Sequence, residues 1–133
     1  MTNPQFVDDR YPLSELSGKA IGAMKVVHRE LGPGFEEKIY QRALVLEFPA
    51  HDVDFSREVW IDVRYRGQIV GRKRVDFIVS DPTGGIMIEI KAKAAVEDVD
   101  FVQALSYLKT SGYKIGLLVN FGAKQLEIRR LAN

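Results

Sequence analysis

Residues 72–92 read RKRVDFIVSDPTGGIMIEIKA, and the fold follows from how this stretch pairs with itself. Arg74-Val75-Asp76-Phe77-Ile78-Val79 is rich in β-forming residues, Asp81-Pro82-Thr83-Gly84-Gly85 has the composition of a tight turn, and Ile86-Met87-Ile88-Glu89-Ile90-Lys91 is apolar apart from two charges. The pattern predicts a hairpin of two short strands. Side chains alternate along a strand, so Glu89 and Lys91 share a face with Met87, while Ile86, Ile88 and Ile90 turn toward a core. An acid and a base on one face of a central strand are costly unless they serve each other or a ligand. Twelve residues separate Asp76 from Glu89, and a turn at residues 81–85 brings the two carboxylates side by side. Paired carboxylates suit Mg²⁺ or Mn²⁺, which prefer oxygen donors and keep positions free for water and phosphate. A lysine beside them can orient water or stabilise charge on a phosphate. An ordinary Glu89–Lys91 ion pair would explain the tripeptide alone; the isoleucine strand and Asp76 at hairpin distance favour a site.

The order of these residues has a known counterpart. Asp76 followed by Glu89-Ile90-Lys91 resembles the PD-(D/E)xK nuclease signature. The wider pattern is similar to the bacterial GxxExxY proteins, whose motif stands here as Gly34-Phe35-Glu36-Glu37-Lys38-Ile39-Tyr40. The similarity spans about residues 21–122 and takes in Val27-His28-Arg29-Glu30-Leu31-Gly32-Pro33-Gly34, Tyr65-Arg66-Gly67, Gln103-Ala104-Leu105-Ser106-Tyr107-Leu108 and Gly116-Leu117-Leu118-Val119-Asn120-Phe121-Gly122. It departs at one position, where the superfamily's proline before the aspartate is Val75. The resemblance implies a restriction-endonuclease-like α/β fold and a metal-dependent phosphodiester hydrolase acting on DNA rather than RNA. It implies Mg²⁺ or Mn²⁺ held by Asp76, Glu89 and Glu37, with the Ile90 carbonyl as a further ligand and Lys91 positioning the attacking water. Tyr40 is a motif position assigned to substrate contact, and Gln103 with Tyr107 resembles the Gln-x-x-x-Tyr of RecB-like members, which lies beside the metal and touches nucleic acid.

Composition sets the outer bounds. The chain of 133 residues is expected to form one domain over 1–133, with the polar segment 1–12 loose. It has no cysteine, which excludes disulfides, a thiolate nucleophile and Cys-ligated zinc; two histidines are too few for a His-rich metal site. No apolar run reaches membrane-spanning length and no signal-peptide pattern opens the chain, so the expected location is cytoplasmic, without a membrane partner. A net charge of +1 leaves nucleic-acid affinity to local charge. The oligomeric state stays open, a homodimer included.

Taken in order, Leu13, Leu16, Ala20, Met24, Val27 and Leu31 predict a helix, with Ser14 or Ser17 as its cap and Gly32-Pro33-Gly34 as its end. His28 reads as a packed or surface residue. A second helix spans about residues 36–48, ended by Pro49. Its apolar face is Ile39, Ala43 and Leu46, and Glu37, Tyr40, Gln41 and Leu44 form the neighbouring one. A strand over 55–65 puts Val59, Ile61, Val63 and Tyr65 on one face, and its return from Ile69 to Val79 carries a bulge at Gly71. Arg64, Arg66, Arg72, Lys73 and Arg74 make either a phosphate-contacting patch or solvated edge charge, with Arg74 assigned to substrate because it shares strand parity with Asp76. A helix then runs from the acids near Glu97 to Ser111 and turns Phe101, Ala104, Leu105 and Leu108 inward. Lys93 is the alternative catalytic lysine if the strand continues past Lys91. Residues 114–120 predict a strand buried on both faces, and 125–131 an edge strand. The expected order is ααβββαββ, a mixed sheet flanked by helices. The rival to a nuclease is a non-catalytic binding or scaffolding module that keeps this fold.

Overall fold

The computed structural model describes residues 13–133; the expected loose segment 1–12 lies outside the described residues. Two helices open the chain, α1 (Ser14–Leu31) and α2 (Glu37–Ala50). The strands β1 (Asp54–Tyr65), β2 (Gln68–Asp81) and β3 (Gly84–Lys91) follow, then α3 (Asp98–Ser111), β4 (Ile115–Asn120) and β5 (Glu127–Ala132). The order is the predicted ααβββαββ. One sheet carries the strands in sequence order β1-β2-β3-β4-β5; β3 and β4 are parallel and the other neighbours antiparallel. The single parallel pair exists because α3 carries the chain back across the sheet between β3 and β4.

The sheet is covered on both faces, which is why β4 is buried at every position. On one face α1 and α2 bury Leu16, Ala20, Met24, Val27, Tyr40, Leu44 and Phe48 against Phe77, Ile86, Ile88 and Ile90. On the other, Ala104 and Leu108 of α3 pack on Ile61, Val75, Met87 and Leu118. The alternation read from β3 therefore holds: its isoleucines face α1 and α2, and Met87 faces α3. No helix among the described residues is long and apolar enough to cross a membrane.

Local expectations fail where a tertiary contact outweighs the local rule. No serine caps α1: Leu13 stands at its N-cap in a left-handed conformation (φ 62°), and Ser17 instead donates its hydroxyl to the Ser14 carbonyl. The α2 face turned to the core is Tyr40, Gln41, Leu44 and Phe48; Leu46 is exposed and Ile39 is only half-buried. Pro49 falls inside the last turn of α2 and does not end it, since the chain leaves through the amides of His51 and Val53 bonded to the Phe48 carbonyl. Phe101 lies at the surface of α3, with only Asp100, Ala104 and Leu108 of that helix buried. The bulge expected at Gly71 is found beside it, where the β1–β2 register shifts between Val63 and Arg64.

A polar clasp fixes the end of β3. Asn120 is fully buried; its side-chain oxygen accepts from the Lys93 and Gly122 amides, and its amide nitrogen donates to the Lys93 carbonyl and Glu127. The Phe121 amide donates to the Lys91 carbonyl at 2.9 Å. The backbones approach so closely here that a Cβ on Gly122 would overlap Lys93 N and Ala92 C. Gly122→Ala is accordingly expected to lower unfolding stability by about 1–3 kcal/mol in urea melts, because rigid backbone rather than a flexible side-chain end must give way. Stability equal to wild type would show that the loop yields freely.

Candidate functional site

The site lies where the sheet forks. β2 pairs with β1 along nearly its whole length, but with β3 only from Phe77↔Ile88 to Asp81↔Gly84. Beyond that point β3 continues with β4 alone, and the amides facing the gap need partners. Side chains supply them. Asp76 Oδ2 accepts from the Ile90 amide at 2.8 Å, and Glu89 Oε1 accepts from the Asp76 amide at 3.2 Å. The two carboxylates are thereby adjacent, each bonded to the other's strand.

Strand parity breaks at the same place. Phe55, Phe77 and Val79 face α1 and α2, whereas Val59, Ile61 and Val75 face α3. Both strands change face opposite Glu58, which has φ 54° and no ladder pairing with Asp76. Asp76 consequently sits at the crossover, within reach of both sides of the sheet. From α2, Gln41 donates to Asp76 Oδ1 at 2.9 Å and is itself held by Arg57 at 2.9 Å. Glu37, one helical turn before Gln41, stands at the solvent-facing lip of the same cleft, with Arg74, Lys38 and Glu58.

The electrostatics are those of carboxylates taken out of water. Burial, then the charge of Asp76, pushes the Glu89 carboxyl from its ordinary 4.5 up to about 7, against the opposing effects of Lys73, the Asp76 amide and Lys91. Burial likewise raises Asp76, although the Ile90 amide, Gln41 and the nearby lysines work against it. Glu37 is raised by desolvation first, with Lys91 opposing and Asp76 reinforcing. A nearby ion pair behaves in the opposite way. The Lys93 ammonium, 2.8 Å from Asp100, holds that carboxyl below its usual range.

The predicted residues separate into three groups. Asp76 and Glu89 are brought together, the half-buried Lys91 follows Glu89 by two on β3, and Glu37 stands at the lip of the cleft without closing on the pair into a three-acid cluster. The N–H and C=O of a strand residue project to one side, so the Ile90 carbonyl points with its amide into the fork. Arg74 lines the cleft. Tyr107 packs on the sheet-facing side of α3 with the Lys73 ammonium 5.2 Å from its ring centroid, and Gln103 is exposed one turn earlier on the same helix.

Two assignments are corrected. Tyr40 has no exposed surface: its hydroxyl donates to the Gly32 carbonyl at 2.6 Å and accepts from the Phe35 amide, and its ring stacks on Phe121 at 4.7 Å. It cannot touch substrate; it ties the α1–α2 connection to the core and so fixes where Glu37 begins α2. Lys93 is no alternative catalytic lysine, because β3 ends at Lys91 and the Lys93 ammonium is engaged by Asp100 and Glu97. Sequence reasoning missed Gln41 and Arg57 as site neighbours and places Lys73 only in the basic cluster of the β1–β2 arm. For Gln41 a signal existed, a polar residue one turn beyond Glu37 on the face that turns to the sheet. For Arg57 none did, and the basic cluster alone does not bring Lys73 beside the acids, since both placements depend on the parity break.

The donor set fits a hard divalent ion. The donors are carboxylate and carbonyl oxygens, and Glu89 Oε2 takes no hydrogen bond from the described residues. Among the described residues no group of three His, Cys, Asp or Glu side chains is placed to hold a metal ion, so Glu37 does not join Asp76 and Glu89 as a third direct ligand, and the acid pair is what the structure offers an ion.

Comparison with known proteins bears on the same arrangement. No curated protein matches the sequence. The crystal structure of SSO0001 superposes with a TM-score of 0.55 at 20% identity, over 91% of this chain and 59% of that one. At that identity the likeness concerns the fold, and this chain spans well under two thirds of the other's length. The sequence itself matches the PD-(D/E)XK nuclease superfamily over residues 14–131, from the first residue of α1 into β5. With the fork, the paired acids and the lysine all inside the matched region, the chain belongs to the PD-(D/E)XK nuclease superfamily.

Proposed function

We propose that this chain, as one domain over residues 1–133, is a metal-dependent nuclease that hydrolyses phosphodiester bonds in DNA. The observation that supports this most is the contrast between its two acid–lysine clusters. A structural ion pair depresses its carboxylate, as Lys93 does Asp100. Asp76 and Glu89 move the other way despite Lys73 and Lys91, Asp76 through burial and Glu89 through burial and then the charge of Asp76. Two buried carboxylates joined across the fork, with no ion pair on either among the described residues, suit a bound cation.

Asp76, Glu89 and the Ile90 carbonyl would hold Mg²⁺ or Mn²⁺, with Glu37 acting on it from the lip through a water. The ion would supply Lewis-acid stabilisation of phosphate charge and ease deprotonation of a water. Lys91 orients the attacking water and faces the negative charge that develops on the phosphate. Gln41 fixes the Asp76 carboxylate in one rotamer, and Arg57 fixes Gln41. Lys73, steadied over Tyr107, offsets the acids before substrate arrives.

The test is cleavage of single-stranded and duplex DNA by purified protein with Mn²⁺ or Mg²⁺. Cutting is expected with metal, is expected to stop in EDTA, and is expected to be lost in Asp76→Asn. A folded protein that cuts neither substrate and whose melting temperature ignores metal would overturn the proposal.

A further inference from the structure

Beyond the fork, the β1–β2 hairpin carries a face that the nuclease reading does not explain. Trp60 lies opposite Arg74, with the guanidinium carbon 5.6 Å from the ring centroid, and the tryptophan is 60% exposed. Next along the strands, Arg72 and Arg64 both reach Asp62. On the other side, Arg74 and Lys38 both reach Glu58. Each acid is thus shared by two exposed cations, and the face keeps a surplus of positive charge. Exposed pairs of this kind contribute little and exchange readily for a phosphate. Arg74 also lines the cleft that holds Asp76 and Glu37. Two residues along a strand cover about 7 Å, so the tryptophan's partner stands one such step from the metal-binding acids.

A solitary exposed aromatic would need no explanation. This one sits on a cationic face that leads directly to two carboxylates, and its ring is open to solvent. The ring face of an indole and the plane of a guanidinium are both surfaces on which a nucleobase stacks. In a duplex the base faces are already covered by their neighbours, so only an unpaired base can use such a surface. We propose that Trp60 and Arg74 form a stacking platform for an unpaired base, and that the substrate strand at the cleft is single-stranded DNA, its phosphates taken up by Arg72, Arg64 and Lys38. The proposal rests on the nuclease reading for the identity of the ligand, but its test needs no catalysis.

Trp60 is the only tryptophan in the chain and therefore reports on its own surroundings. Metal-free protein in EDTA at low salt is titrated with a single-stranded oligonucleotide and, separately, with a duplex of equal length. The single strand is expected to quench Trp60 fluorescence, and the duplex to leave it largely unchanged. Anisotropy of a labelled strand is expected to show about a tenfold or greater loss of affinity in Trp60→Ala, with most of it restored in Trp60→Phe. Melting curves identify any variant that fails to fold, and the wild-type titration stands without a variant. Equal quenching by duplex, or wild-type affinity in folded Trp60→Ala, would overturn the platform. Protein that stacks the strand in this way but never cuts it would end the nuclease reading and leave the platform in place.

Discussion

Lys91→Met is expected to reduce metal-dependent cleavage by about 10²–10⁴-fold while the protein stays folded and still melts higher with Mn²⁺. The expectation follows from how Lys91 is held. Its carbonyl is bonded by the Phe121 amide, its strand is paired with Asn120, and the Asn120 clasp closes behind it. The ammonium is thus delivered from a rigid backbone to the rim of Asp76, Glu89 and Glu37, where it attracts all three without forming an ion pair within 4 Å among the described residues. A lysine supplies no metal ligand, so its removal deletes a positive charge near the ion and does not loosen the ion's hold. Were Lys91 instead half of a buried structural pair, truncation would strand its partner and cost about 3–5 kcal/mol. The two readings separate in one experiment, melting curves with and without Mn²⁺ beside a cleavage assay. A variant that cuts at the wild-type rate removes Lys91 from the mechanism.

The sequence made the architecture legible because its strongest signals were also tertiary facts. The Asp81–Gly85 turn, the isoleucine strand and the apolar run at 114–120 each allow one arrangement of neighbours, and together they place β3 in the middle of a mixed sheet. The pairing of Asp76 with Glu89 was legible for the same reason, being a matter of hairpin arithmetic. Parity across the β1–β2 arm was not. Alternation assumes an unbroken strand, and Glu58 breaks it with a left-handed backbone that no glycine announces. Arg57 and Lys73 owe their positions to that break. Tyr40 illustrates a different failure. A motif position was assigned to the substrate, yet a tyrosine with a filled hydroxyl and a buried ring serves the loop that aims Glu37. The exposure of Trp60 and its guanidinium neighbour were not legible either, because they depend on the register of β1 against β2.

Without metal, wild-type protein is expected to become less stable as pH rises from about 4.5 to about 7 through the titration of Glu89. The sign follows from where the proton sits. The folded-state pKa is raised, so in this window folded Glu89 keeps a proton that unfolded Glu89 has lost, and each step upward in pH favours unfolding. Stability from this group is fully present below the unfolded pKa and gone above the folded one. A shift from 4.5 to about 7 corresponds to a loss on the order of 3 kcal/mol, and the raised Asp76 adds to it in the same direction. Divalent metal reverses the trend because it binds the ionised carboxylates: at pH 8 a concentration 100-fold above Kd adds about 2.7 kcal/mol, whereas near pH 5 protons compete and the gain shrinks. Glu89→Gln separates charge from shape. Its amide oxygen can still accept from the Asp76 amide, so the strands stay joined at the fork, but the repulsion with Asp76 is gone. In EDTA at pH 8 the variant is expected to melt above wild type and to respond less to pH. With Mn²⁺ it is expected to gain almost nothing and to cut no DNA. A metal-free wild-type melting temperature that stays flat from pH 5 to pH 8 would show that the Glu89 carboxyl is not raised, and a metal-induced rise as large in Glu89→Gln as in wild type would show that Glu89 does not hold the ion.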